Sequence, residues 1–274
     1  MNMNRTKFSL IAFLFVLLFA TNTPSVFSQN WKLYKKNAAL DCRYFTTDGL
    51  NNIYIITSKN EILKYNQDGS FDSRFVSLKM GKLGTVDASN PFKLLLYYPD
   101  FQTVQMLDKD LNSLGSFNLN DLGIAQTGGI AMSDDGRTWV YDAAENKLKT
   151  VNGDAGQQVQ SAVVPFVGSA VSQMVFRGNT LYVNVPDKGI YLFDRFGKFI
   201  KTLDIKNSNY FQVIDNQLFY SQSGQLFRFQ LQTLQTLPVK MPEGIVGTEL
   251  MRLQKNWLFV QQGKTIIVHE EKAQ

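Results

Sequence analysis

The sequence predicts an all-β fold, a six-bladed β-propeller with four strands per blade, the last blade closed by an N-terminal strand at residues 31–36. Three observations carry the prediction: a hydrophobic strand pair occurs six times, its period is near 41 residues, and the final unit lacks an outer strand that an orphan strand at the front can supply. A period of about 40–45 residues with four short strands per unit is the pattern of propeller blades.

The chain opens on a leader. Arg5 and Lys7 precede an apolar run from Phe8 to Ala20, followed by "TNTPSVFS". That layout is an export signal, with residues 1–28 removed and cleavage expected before Gln29. The run is shorter than the about 20 residues that a bilayer core requires, so no membrane span is expected after cleavage. Cys42 follows "AALD" and not the apolar run, against the pattern of an acylated cysteine. A periplasmic or secreted protein is expected, with residues 29–274 forming one propeller domain.

"WKLYKK" from Trp31 is the orphan strand. Each blade then begins with an inner strand: "CRYFT", "GTVDA", "GGIAMS", "SQMVF", "YFQVI" and "ELMRL". The central pairs follow, reading "NIYIITSKNEILKY", "LLLYYPDFQTVQML", "TWVYDAAENKLKTV", "LYVNVPDKGIYLF", "QLFYSQSGQLFRF" and "WLFVQQGKTIIV". Alternating apolar runs separated by short Pro, Gly, Asp, Asn or Ser loops are hairpin signals. Ile53, Leu95, Trp139, Leu181, Leu218 and Leu258 are equivalent positions, spaced 42, 44, 42, 37 and 40 residues apart. Their partners Ile62, Val104, Leu148, Ile190, Leu226 and Ile266 follow 8 or 9 residues later.

Outer strands come next: "SFDSRFV", "LNSLGSF", "QQVQSAVV", "GKFIKTL" and "QTLQTLPV". After "TIIVHE" only "EKAQ" remains, so Trp31–Lys36 is expected to pair with Thr265–His269. Closing the ring removes the open edges of the array. The pairs Asp48-Gly49 and Asp135-Gly136 are expected to supply positive φ in first-to-second-strand loops. A pair of β-sandwiches would also show short strands and turns, but would need neither the regular offset nor the split last unit.

"NNIYIITSKNEILKYNQDGSF" and "GIYLFDRFGKFIKTL" resemble the blades of six-bladed propellers of the NHL-repeat and TolB-like superfamily, in which a "YDxxGxF"-type reversal recurs. The resemblance covers residues 31–269 and implies the fold rather than an activity. Blades five and six depart from it, with "FQLQTL" and "HEEKAQ".

Composition excludes several functions. Without the leader, 26 basic residues face 23 acidic ones, a net charge of +3 with no basic cluster, so nucleic acid is not an expected partner. One cysteine cannot form an internal disulfide, and Cys42 is expected to be a buried hydrophobe. Nucleophilic triads need a histidine, and the single one, His269, is expected to be a solvent-facing structural residue. One His and one Cys cannot make a closed zinc site. No cofactor is expected. The alternative is calcium, bound in the channel of a lactonase-like hydrolase or lyase by Asp41, Asp87 and Glu249, with Gln173 and Asn209 nearby. "LDKDLNS" imitates a calcium loop at Asp108, Asp110 and Asn112, but Ser113 stands where glycine is needed and Leu119 where a glutamate is needed, so a turn is expected.

Binding by a surface is what remains. Loops between second and third strands share one face with the interblade connections, which carry Met80, Leu83, Ile124, Phe166 and Ile245. Lys59, Asp100, Phe101, Phe166 and Asp187 are the candidate binding residues, an aromatic centre with a charged rim. An envelope protein or an extracellular ligand is the expected partner of a non-catalytic interaction module.

Overall fold

The computed structural model describes residues 31–37, 41–77, 79–152, 157–208, 210–245 and 250–271. The expected leader and its expected cleavage site, Asn209 and Glu249 lie outside the described residues.

Six four-stranded antiparallel sheets form the ring. After β1 (Trp31–Asn37), blade one holds β2 (Tyr44–Thr47), β3 (Ile53–Ile56), β4 (Glu61–Tyr65) and β5 (Phe71–Val76). Blade two holds β6 (Thr85–Asn90), β7 (Lys93–Tyr98), β8 (Thr103–Asp108) and β9 (Ser113–Asn118). Blade three holds β10 (Thr127–Met132), β11 (Thr138–Asp142), β12 (Lys147–Asn152) and β13 (Gln157–Val163). Blade four holds β14 (Gln173–Arg177), β15 (Thr180–Val185), β16 (Gly189–Asp194) and β17 (Phe199–Leu203). Blade five holds β18 (Phe211–Ile214), β19 (Gln217–Gln222), β20 (Gln225–Gln230) and β21 (Thr236–Pro238). Blade six holds β22 (Met251–Gln254), β23 (Trp257–Gln262) and β24 (Thr265–Glu271), and β1 completes it.

The closure follows the expected pairing, one residue longer than anticipated. Trp31 faces Glu271, Leu33 faces His269 and Asn37 faces Ile266, with a bulge between Leu33 and Lys35. Trp31 also donates its indole N–H to the Lys240 carbonyl at 2.8 Å, and Tyr34 packs edge-on against Trp257 at 4.7 Å.

All twelve equivalent positions of the repeat are buried. They fill six apolar clusters, one for each interface between neighbouring blades. Tyr54, Ile62, Leu94 and Leu107 join blades one and two, for example, while Phe45, Ile53, Phe259 and Ile266 join six to one. The core is therefore a circle of wedges, and each blade buries its apolar faces against its neighbours. Gly129 on β10 is part of that fit, since a Cβ there would lie 2.7 Å from Sδ of Met174 in the next blade.

Turns repeat one device. Oδ1 of Asp108 accepts from the N–H groups of Asp110 and Asn112, and Oδ1 of Asp194 accepts from those of Phe196 and Lys198. The left-handed position three residues on is Leu111 in the first loop and Gly197 in the second. The calcium-like segment is thus a turn held by its own aspartate. One detail differs from expectation at Asp48-Gly49, where the positive φ falls on Asn51. The Asp48 carboxylate accepts from Leu50 N, Asn52 N, Asn52 Nδ2 and the Tyr54 hydroxyl, which shifts the reversal two residues beyond the glycine.

Blade three also buries a charge. Lys149 donates to Asp142 at 2.7 Å and to Glu145 at 2.9 Å, so both buried charges have partners.

Candidate functional site

Inner strands β2, β6, β10, β14, β18 and β22 surround a central cavity of about 440 Å³. All six enter from the face that carries the interblade connections, so residues at their N-terminal ends form one mouth of the channel. Tyr44, Thr85, Thr127, Gln173, Tyr210 and Arg252 stand there, while Arg177, Ile214 and Gln254 stand toward the other mouth.

Polar side chains of the inner strands join four of the six pairs of neighbouring blades. The amide of Gln173 on β14 pairs with both main-chain groups of Phe211 on β18, and that of Gln212 on β18 pairs with both groups of Leu253 on β22. Asp87 on β6 accepts from Met132 N on β10 at 2.8 Å through Oδ2 and from Ser89 N at 2.9 Å through Oδ1. Gln254 reaches Thr47 of blade one at 3.3 Å. Sequence spacing contained a trace of this, because Gln173, Gln212 and Gln254 recur 39 and 42 residues apart, close to the blade period.

Of the candidate calcium ligands that are described, Asp41 and Asp87 do not come together. Asp41 is outside the channel lining and accepts from the Ser58 hydroxyl at 2.6 Å, the bond that lowers its pKa below the usual range. Asp87 does line the channel, with both oxygens engaged. Among the described residues no group of three or more His, Cys, Asp or Glu could hold a metal.

The candidate surface residues other than Phe166 lie in loops of one face. Lys59 lies between β3 and β4, Asp187 between β15 and β16, and Asp100 and Phe101 on a 3-10 turn between β7 and β8. Phe101 is 53% exposed, and Asp100 accepts from Lys82 N at 2.9 Å. Phe166 is a correction. It is fully buried, with ring centroids 4.7 Å from Tyr191 and 5.4 Å from Tyr141, because the connection from blade three to four folds back into the interface between them.

His269 is a second correction: it is 7% exposed, not solvent-facing. It occupies β24, a strand flanked on both sides by β23 and β1, and burial lowers its pKa. Neither ring nitrogen has a hydrogen-bond partner among the described residues. Cys42 is buried as expected, beside Phe45 and Phe259, and burial raises its thiol pKa to about 11.

The sequence reading missed Arg252 and its surroundings. Arg252 lines the channel and also a neighbouring cavity of about 290 Å³ between blades five and six. Its guanidinium carbon lies 5.9 Å from the Tyr210 ring centroid, and Arg43 stands 5.4 Å from the ring of Tyr44. Desolvation pulls the Arg252 pKa down to about 10 and pushes the Tyr44 hydroxyl well above its ordinary range. An arginine inside an inner strand was the available signal, present in "ELMRL" and at the edge of "CRYFT". Those segments become neighbours only when the ring closes.

No protein-family model matches the chain, and no curated protein matches it in sequence. Solved structures do. A catalytically inactive histidine-to-alanine variant of virginiamycin B lyase from Staphylococcus aureus, with quinupristin, is 15% identical with a TM-score of 0.62, covering 89% of this chain and all of that one. A streptogramin B lyase structure has 15% identity and a TM-score of 0.60, over 89% of this chain and 88% of that one. The Pan2 WD40 domain of Neurospora crassa has 10% identity and a TM-score of 0.63, over 90% and 97%. At these identities the likeness establishes the propeller fold and leaves activity to the residues.

Proposed function

We propose that this chain is a non-catalytic extracytoplasmic propeller, related to the NHL-repeat and TolB-like propellers, that binds an envelope protein or an extracellular ligand at its loop face. One observation carries the reading: among the described residues, Asp87, Gln173 and Gln212 of the channel are engaged in joining blades, and no acid–base pair faces the cavity. General acid–base work needs a proton carrier within reach of bound substrate. The structural neighbour from S. aureus is inactivated by loss of a histidine, whereas the single histidine of this chain is buried on β24 away from the channel lining. A calcium-dependent alternative needs converging carboxylates, which Asp41 and Asp87 do not supply. The leader at residues 1–28 supports a periplasmic or secreted location.

Site-specific photo-crosslinking in cells tests this. A photoreactive residue at Lys59, Phe101 or Asp187 is expected to capture a partner, and one at Phe92, in the loop joining β6 to β7 on the opposite face, is not. Adducts from Phe92 alone, or turnover of a lactone or ester by the purified protein, would overturn the reading.

A further inference from the structure

We propose that Arg252, Tyr44 and Tyr210 form a binding site for the carboxylate of a small aromatic or apolar acid at the loop-face mouth of the channel. The inference rests on the ligand-binding reading of that face and gives its chemistry.

Arg252 is half-buried, and among the described residues no carboxylate lies within ion-pair distance of it. A cation drawn out of water with no counter-charge is costly, and an incoming oxyanion would offset that cost. Guanidinium N–H groups lie in the plane of the group, so the Tyr210 ring can cover a face while the edge keeps its fork of donors for a carboxylate. A second donor is nearby. The Tyr44 hydroxyl is buried, has no hydrogen-bond partner among the described residues, and interacts electrostatically with both Tyr210 and Arg252. Buried polar atoms without partners are uncommon and call for an explanation, which a bound acceptor provides.

Charge favours a monoanion. Arg43, the neighbouring cation, donates to the Leu83 carbonyl at 2.6 Å and is not part of the channel lining, whereas the Asp87 carboxylate is. A phosphate dianion would meet one available guanidinium and one carboxylate, whereas a carboxylate is matched by Arg252 alone. Val175, Ile214 and Tyr97 give the cavity apolar walls for the body of the acid. Its volume of about 440 Å³ lies in the range of small-molecule sites.

Calorimetric titration of the purified protein with phenylacetate, with 2-phenylethanol and with inorganic phosphate tests the site. Phenylacetate is expected to bind saturably, with affinity falling at least tenfold in both Arg252→Gln and Arg252→Lys, severalfold in Tyr44→Phe, and not at all in Arg177→Gln at the other mouth. The lysine and phenylalanine variants keep the test valid if the glutamine variant fails to fold. Phenylethanol or phosphate binding as tightly as phenylacetate, or phenylacetate binding unchanged in the Arg252 variants, would overturn the proposal. A folded protein that ignores phenylacetate yet crosslinks a partner from Phe101 would also overturn it, and would leave the interaction reading in place.

Discussion

The side-chain amide of Gln173 binds both main-chain groups of Phe211 in the next blade, Nε2 donating to the carbonyl at 3.0 Å and Oε1 accepting from the N–H at 2.9 Å. Gln212 repeats the arrangement on Leu253. Each glutamine therefore serves as a peptide-like link between inner strands that are too far apart to pair directly. Gln173→Ala and Gln212→Ala each leave a buried donor and acceptor unpaired, so each should lower the unfolding free energy by about 1–3 kcal/mol. Urea denaturation of the single variants checks this, and an unchanged midpoint in both would refute the linking role.

Closing the ring depends on β1. A variant lacking residues 31–37 exposes the edge of β24, a row of unpaired N–H and carbonyl groups. It should self-associate and lose a single cooperative melting transition. Size-exclusion chromatography and calorimetry read both effects, and a monomeric variant melting like the parent would show that β1 is dispensable.

His269 should make stability depend on pH. Its folded pKa is depressed by burial, so the unfolded chain binds the proton more tightly than the folded one does. The stability of the neutral form is complete above the unfolded histidine value near pH 6.5 and falls as pH drops through the lower folded value. A denaturation series between about pH 7.5 and 5.5 should show a slope that disappears in His269→Met. Identical slopes in the two proteins would place the titration elsewhere.

Phe166 and Phe101 should behave in opposite ways. Truncating Phe166 to alanine empties a position between three aromatic rings and should cost about 3–5 kcal/mol. Truncating exposed Phe101 should change stability by less than about 0.5 kcal/mol. Thermal melts of both variants decide the point, and comparable losses would mean that Phe101 also belongs to the core.

The contrast between those two phenylalanines shows what was legible in the sequence. Strand period and hydrophobic alternation report which backbone pairs with which, because the repeat is imposed by pairing within a blade. Ile53 and its five equivalents could therefore be placed in the core, and Trp31 in the last blade, from spacing alone. Contacts between blades obey no such short period. Whether Phe166 turns outward or folds into the next interface, and whether Asp87 faces a ligand or the N–H of Met132, depends on how two units meet. His269 misled for a related reason, since its neighbour on one side, Leu33, lies at the other end of the chain. Arg252 and Tyr44 escaped notice because blades six and one adjoin only around the closed ring.

The seam between β1 and β24 has a mechanical consequence. Because the pair is antiparallel and Trp31 lies opposite Glu271, both ends of the described chain leave from the same end of one ladder. Tension applied between the ends peels β1 away one pair at a time instead of loading every hydrogen bond together. The ring should thus unzip at low force into an open arc of otherwise folded blades, and a tether on either end would tug at the same spot on the rim.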